Sequence, residues 1–201
     1  MNRHKGVLSN QKGFTLVELA IVLVIIGLIL GAVLKGQELI NNAKLKRAYN
    51  QQREVAAAVY TYFDRYGHYP GDDNTAAARW SGVTDGNNNG IIDATLSFAC
   101  TTAAVSETCQ AWRHMRNANL ITGDLNSAQS INNAYGGTMG VGTATIQTLA
   151  TQWIGMAAVP FDACQILDLQ YDDGVFNTGT IRGSGNYNTA TTGTFSIYFK
   201  L

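Results

Sequence analysis

The sequence is poor in charge, proline and cysteine. Of 201 residues, 14% are charged, two are Pro and three are Cys, and Lys plus Arg balance Asp plus Glu at 14 each. Zero net charge, with no Lys/Arg block beyond the first residues, removes the electrostatic footprint that a nucleic-acid binder needs. Neither a disordered nor a collagen-like chain fits a composition that is 46% hydrophobic with two Pro. What is present instead is Gly (21 residues) with abundant Thr and Asn, the mark of a turn-rich globular part. The length suits one ordinary domain with an appendage, or two small domains.

The start of the chain is segregated by residue type. Residues 1–13 carry Arg3, Lys5 and Lys12 and no acid, and residues 14–34 form a 21-residue apolar run whose only charge is Glu18. At about 1.5 Å per helical residue that run covers about 30 Å, the hydrocarbon thickness of a bilayer. The basic leader predicts that residues 1–13 stay cytoplasmic and that everything after the run is directed outward. A plain secretory signal peptide has a shorter core of roughly 7–15 residues and a small-residue cleavage site, and no clear one follows here. A carboxylate inside an apolar helix costs about 2.5–3.5 kcal/mol on insertion scales, so Glu18 calls for a partner or a function.

Gly13-Phe14-Thr15-Leu16-Val17-Glu18-Leu19, preceded by Lys12 and followed by an unbroken aliphatic run, resembles the processing signal of type IV pilins and of type II secretion pseudopilins. The resemblance covers residues 12–34. It implies cleavage after Gly13 by a membrane prepilin peptidase and N-methyltransferase, a methylated new N-terminus at Phe14, and an assembly role for Glu18. It further implies residence in the bacterial inner membrane as a single-pass protein, then polymerisation with other pilin or pseudopilin subunits into a periplasmic or cell-surface filament. Charge physics agrees: the α-ammonium at Phe14 of one subunit can be neutralised by Glu18 of its neighbour where both lie in low dielectric. The alternative is an intramolecular contact, since Phe14 and Glu18 are i and i+4 on one helix face. Gly27 and Gly31 add a G-x-x-x-G that permits close helix approach and also weakens the helix. Type IVa major pilins usually carry Pro where this chain has Lys35. A minor or tip subunit for priming or adhesion is the alternative within the family, and a signal-anchored periplasmic enzyme or binding protein the alternative outside it.

Leu45, Ala48, Tyr49, Val55, Ala56, Val59, Tyr62, Phe63 and Tyr66 recur at spacings of three and four, so the helix is expected to run on to about residue 66, where Gly67 and Pro70 end it. An unbroken helix over residues 14–66 is about 80 Å long. The expected domains are a leader at 1–13, a long helix at 14–66 with its membrane and assembly segment at 14–34, and a globular head at 67–201. The fold class is α+β: a long N-terminal helix, one half membrane or filament core and one half amphipathic, packed on a small antiparallel sheet. That sheet comes mainly from the pilin resemblance.

Within the head, residues 74–80 read as one helical turn and 108–120 as a helix with Trp112 and Met115 inward, stopped by Gly123. Another helix is expected after Pro160, with Asp162 as N-cap, Gln165 closing a capping box, Phe161 stapled to Ile166 and Gly174 as its stop. Phe195, Ile197 and Phe199 alternate with polar or amphipathic residues as a C-terminal strand, and Ile181 falls in another.

Three cysteines fall at 100, 109 and 164. In an exported domain Cys100 and Cys109 are the preferred pair, with Cys164 either buried and free or paired with one of them. No zinc-ligand spacing occurs. The best cation candidate is the loop at 85–93, where Asp85, Asn87, Asn89, the Ile91 carbonyl and Asp93 stand as in calcium loops, with Gly90 at the turn. The usual closing Glu is replaced by Leu96, so Asp72, Asp73, Asp172 or Asp173 is needed to complete a calcium shell; an Asn/Gly turn without any ion is the alternative. His68 and His114 lie in no catalytic motif, and no enzymatic activity is expected.

The zero net charge is a sum of unlike parts. Removing 1–13 leaves 11 basic and 14 acidic side chains; residues 35–66 hold six basic and three acidic groups, and residues 67–201 five and ten. A basic leader, one acid in an apolar helix, a basic stem and an acidic head suit export and ordered stacking.

Overall fold

The computed structural model describes residues 13–201. The cytoplasmic leader expected at 1–13 lies, but for Gly13, outside the described residues. The first element, α1, is a 51-residue helix, Leu16–Tyr66. It passes through both compact units of the chain, one ending at Asn42 and the other spanning Ala43–Leu201.

Up to Leu34, α1 buries none of its side chains. Among the described residues it is the helix that is long and apolar enough to cross a membrane, judged by length and composition. From Leu45 onward its character changes. Leu45, Ala48, Val55, Ala58, Val59 and Tyr62 are buried at the three- and four-residue spacing expected of one face. Phe63, read as part of that stripe, is instead 40% exposed. Gly67 ends the helix as expected: its φ is +74°, and its N–H donates to the Phe63 carbonyl at 2.8 Å.

The second unit is an α+β domain. After the short helix α2 (Ala76–Arg79) and α3 (Glu107–Asn117) come β1 (Met139–Ile146), β2 (Leu149–Pro160), α4 (Phe161–Tyr171), β3 (Ile181–Gly183) and β4 (Thr194–Lys200). The four strands form one antiparallel sheet in the order β1-β2-β4-β3. One face carries Val141, Ile154, Met156, Ile197 and Phe199 into the main core, where they meet the buried face of α1 together with Trp112 and Met115 of α3. The opposite face is covered too: Trp153 and Tyr198 pack with Leu96 in a second cluster. Dual coverage explains why β2 reads as Trp-Ile-Gly-Met-Ala-Ala-Val, without the polar alternation of a half-exposed strand.

β1 and β2 went unrecognised in the sequence for a second reason. Their two-residue turn is Gln147-Thr148, with φ of +46° and +69°, a backbone that Asn-Gly or Asp-Gly usually supplies. Arg182 of β3 holds it in place, donating to the Gln147 carbonyl at 2.8 Å, while Gln147 Nε2 donates to the Gly183 carbonyl at 3.1 Å. Near its other end β2 slips register between Met156 and Val159, where Ala158 has φ +55°.

Two helix boundaries differ from expectation. α3 stops before Gly123, because Asn119 takes up the left-handed conformation at φ +56° and Leu120 N–H closes on the Met115 carbonyl. α4 has Pro160 at its N-cap and Asp162 inside the first turn, so the expected capping box does not form. Gln165 instead donates to the Tyr187 carbonyl, Ile166 is exposed, and the helix ends at Asp172 rather than at Gly174. Cys100 and Cys109 form a disulfide, tying the loop before α3 to its first turn, and Cys164 is free and buried.

A polar network fixes the loop after α1. Asp73 is fully buried and accepts from Tyr62 Oη at 2.6 Å, from Thr75 and from Arg79, whose guanidinium lies over the rings of Tyr66 and Trp80. Burial alone raises the Asp73 carboxyl, but these donors hold it below its usual range. His114 of α3 is fully buried; its Nδ1 accepts from Gly71 N–H at 2.9 Å and its Nε2 donates to the Thr84 carbonyl at 2.9 Å. That arrangement needs the neutral ring, and burial pushes its pKa below 6.5. Below about pH 6.5 the unfolded chain takes up a proton that the folded chain refuses, so stability falls with pH at up to about 1.4 kcal/mol per unit. Urea unfolding at pH 7.5 and 5.5 should show that loss in the wild type and a smaller one in His114→Gln. An equal pH dependence in both proteins would contradict the assignment.

Candidate assembly site and cation loop

Position within α1 explains what surrounds Glu18. Gly13, Phe14 and Thr15 precede the helix, and Phe14 is 81% exposed. Glu18 is the third residue of α1, and Thr15 stands as its N-cap. The Thr15 hydroxyl accepts from Glu18 N–H at 3.2 Å, while Thr15 N–H and hydroxyl both donate to Glu18 Oε2 at 2.9 Å. This is a reciprocal capping box, which satisfies two otherwise unpaired backbone donors at a helix start. Neither sequence reading of Glu18, as a partner of a neighbouring Phe14 or of its own, included this contact. The signal was there, in the Thr-Leu-Val-Glu spacing. Only Oε2 is used; among the described residues no hydrogen bond reaches Oε1. Gly27 and Gly31 lie on the same exposed helix, with nothing near the place a Cβ would take.

The loop at 85–93 gathers part of its expected ligand set. Asn87 and Asn89 direct their amides onto Asp93 Oδ2, and the side-chain oxygens of Asn87 and Asn89 accept from the backbone N–H of Asn89 and Ile91. Asp85 points to the start of α2, accepting from Ala77 N–H at 2.7 Å. Of the four outside acids nominated for the shell, Asp72 reaches the loop: it is buried, and its two oxygens accept from Asn89 and Gly90 N–H at 2.8 and 2.9 Å. Asp73 is engaged with Tyr62, Thr75 and Arg79, and Asp172 and Asp173 bond their own segment.

Sequence reasoning missed Glu107. It opens α3 and lays both carboxylate oxygens against the loop, accepting from Asn87 N–H at 2.8 Å and Asp93 N–H at 2.7 Å. Burial raises its pKa, and the charges of Asp72 and Asp93 add to the rise. Three carboxylates and two amide side chains therefore meet around one turn, opened by the positive φ of Asn88 and Gly90.

A second acidic group, Asp168, Asp172 and Asp173, has ligand atoms within 4.8 Å of one another. Each has protein donors: Tyr187 Oη and Gly174 N–H on Asp168, Thr180 and Ile181 N–H on Asp172, Val175 N–H and Thr178 Oγ1 on Asp173. These bonds wrap residues 173–181 around the end of α4. His68, the other histidine outside the leader, contacts the Asn88 side chain at 2.8 Å.

Comparison with known proteins places these features. A family model described as the prokaryotic N-terminal methylation motif matches residues 8–34. Among curated proteins, the fimbrial protein EcpC of Eikenella corrodens is 34% identical over 96 residues, covering 43% of this chain and 63% of the relative. The chain thus spans a little under two thirds of the length of that relative. The described part of the match, Gly13 with the first half of α1, is the stretch that holds Phe14, the Thr15–Glu18 cap and the apolar run. The chain carries the prokaryotic N-terminal methylation motif at the head of a long apolar helix, and it is similar to a fimbrial protein.

Proposed function

We propose that the chain is the precursor of a pilin-type structural subunit rather than an enzyme. Prepilin peptidase cuts it after Gly13, the new N-terminus at Phe14 is methylated, and the subunit waits in the inner membrane until residues 14–34 pack into a filament. The observation that carries this reading is an α1 segment apolar on every side, bearing one acid four residues from the cleavage position. Such a helix needs a lipid or protein environment that its own chain does not supply. Glu18 has one oxygen committed to its own cap, and Oε1 is the acceptor for the Phe14 ammonium of an incoming neighbour. An unpaired charge in that dry core is costly, so the pairing selects the register. A type IV pilus and a secretion pseudopilus both use such a subunit, and a minor subunit that primes assembly uses the same helix.

Mass spectrometry of the mature protein should give N-methyl-Phe14 as its first residue, and Glu18→Ala should insert into the membrane yet fail to enter filaments. An intact Met1, or normal incorporation of the variant, would overturn the reading.

We further propose that calcium binds the 85–93 loop. Asp93, the Asn87 and Asn89 side-chain oxygens and the Ile91 carbonyl are the ligands, with Asp85 contributing the oxygen not bonded to Ala77. Glu107 supports this reading by supplying, from α3, the carboxylate that Leu96 lacks at the end of the loop. The two amides must turn so that oxygen faces the ion. A ligand at about a hundredfold over its Kd stabilises the folded state by about 2.7 kcal/mol. Calorimetric titration should therefore show heat and a raised Tm in millimolar calcium, both lost in Glu107→Gln; no heat and an unchanged Tm would remove the site.

A further inference from the structure

Two unlike surfaces of the second unit are opposite in charge, one an exposed apolar group beside acids and the other an apolar groove beside bases. The first is a knob on α4, where Leu169 is 75% exposed and Ile166 is 47% exposed, with Val175 just beyond the helix at 44%. Residues 160–180 around it hold four acids, Asp162, Asp168, Asp172 and Asp173, and no base. The second is a groove of about 420 Å³ between the second half of α1 and the loop after α3, floored by Val55, Leu120, Ile121 and Ile131 and flanked by Arg47 and Gln51. Gln51 Nε2 donates to the Asn132 carbonyl at 3.1 Å, so the far wall is tied to the helix. Residues 43–53 hold four basic side chains and no acid; of these Lys44 lies one turn before Arg47 on the groove side. Glu54 pairs weakly with Arg47 at 3.9 Å, both exposed.

The two surfaces lie on opposite flanks of the same helix. Tyr171 at the end of α4 stacks on Tyr49, with ring centroids 3.5 Å apart. At 3.6 residues per turn, position 49 faces about 160° away from positions 47 and 51 and about 120° away from position 55, all three of which line the groove. A surface pair so placed cannot close on itself within one copy and cannot form a two-fold dimer. A contact between them is head-to-tail, and it builds a closed ring or an open helix according to the rotation it imposes.

We infer that the Leu169 knob of one copy docks in the Val55–Ile121 groove of a second copy, with Asp162, Asp172 and Asp173 facing Lys44 and Arg47. The inference rests on assembly into a filament and supplies the contact between heads. Leu169→Glu leaves the isolated fold unchanged, because the side chain is exposed, and should cut the yield of sedimentable filaments about tenfold or more, the factor expected from withdrawing one leucine contact from an apolar groove. Leu169→Cys combined with Thr122→Cys on the groove wall should give a ladder of covalent multimers on oxidation, absent from either single variant. Wild-type filaments alongside an uncross-linked double variant and a fully assembling Leu169→Glu would overturn the docking alone. Absence of wild-type filaments would overturn the filament reading itself, and this inference with it.

Discussion

A helix that is apolar on every side cannot be satisfied by its own chain, and this constraint governs the molecule. The first half of α1 buries nothing in the protein, whereas its second half contributes six buried side chains to the core of the α+β unit. One continuous element thus changes character along its length, and the change falls between Leu34 and Leu45, where Lys35, Glu38 and Lys44 bring charge to the helix. A transmembrane length and a surface apolar on every side answer one requirement: the segment must lie in lipid or against other helices rather than in water.

In the proposed assembly Glu18 serves twice. A helix beginning inside an apolar medium has backbone N–H groups without partners, and a carboxylate at the third position with Thr at the N-cap satisfies them locally. Among the described residues no hydrogen bond reaches its other oxygen, which in the proposed filament accepts from a cation of a neighbouring subunit. Capping and the proposed assembly contact are therefore compatible uses of one side chain, and the cap holds the acid in a defined orientation.

What could be read from the sequence follows from the physics of each element. The course of α1 was legible because its apolar stripe keeps helical period for three turns and more, and Gly67 stops it with a positive φ. The Cys100–Cys109 pair was legible from spacing, and the structure forms it. β1 and β2 were not, since both faces of the sheet are covered and their turn uses Gln147-Thr148 stabilised by Arg182, a contact from a distant strand. The start of α4 was misread because Pro160 itself takes the N-cap, which moves Asp162 into the first turn. Around the 85–93 loop the sequence reading reached side chains local in sequence and four acids elsewhere, whereas Glu107 arrives from α3, and no linear pattern announces an acid folded back over 14 residues from Asp93.

The central claim is that the first half of α1 is a buried assembly element. A filament reconstruction at side-chain resolution tests it most directly. The account predicts residues 14–34 packed in the filament core, with Glu18 Oε1 within hydrogen-bond distance of the methylated Phe14 nitrogen of a neighbouring subunit. A filament in which this segment is absent from the core, or in which Glu18 faces solvent and meets no neighbour, would contradict it.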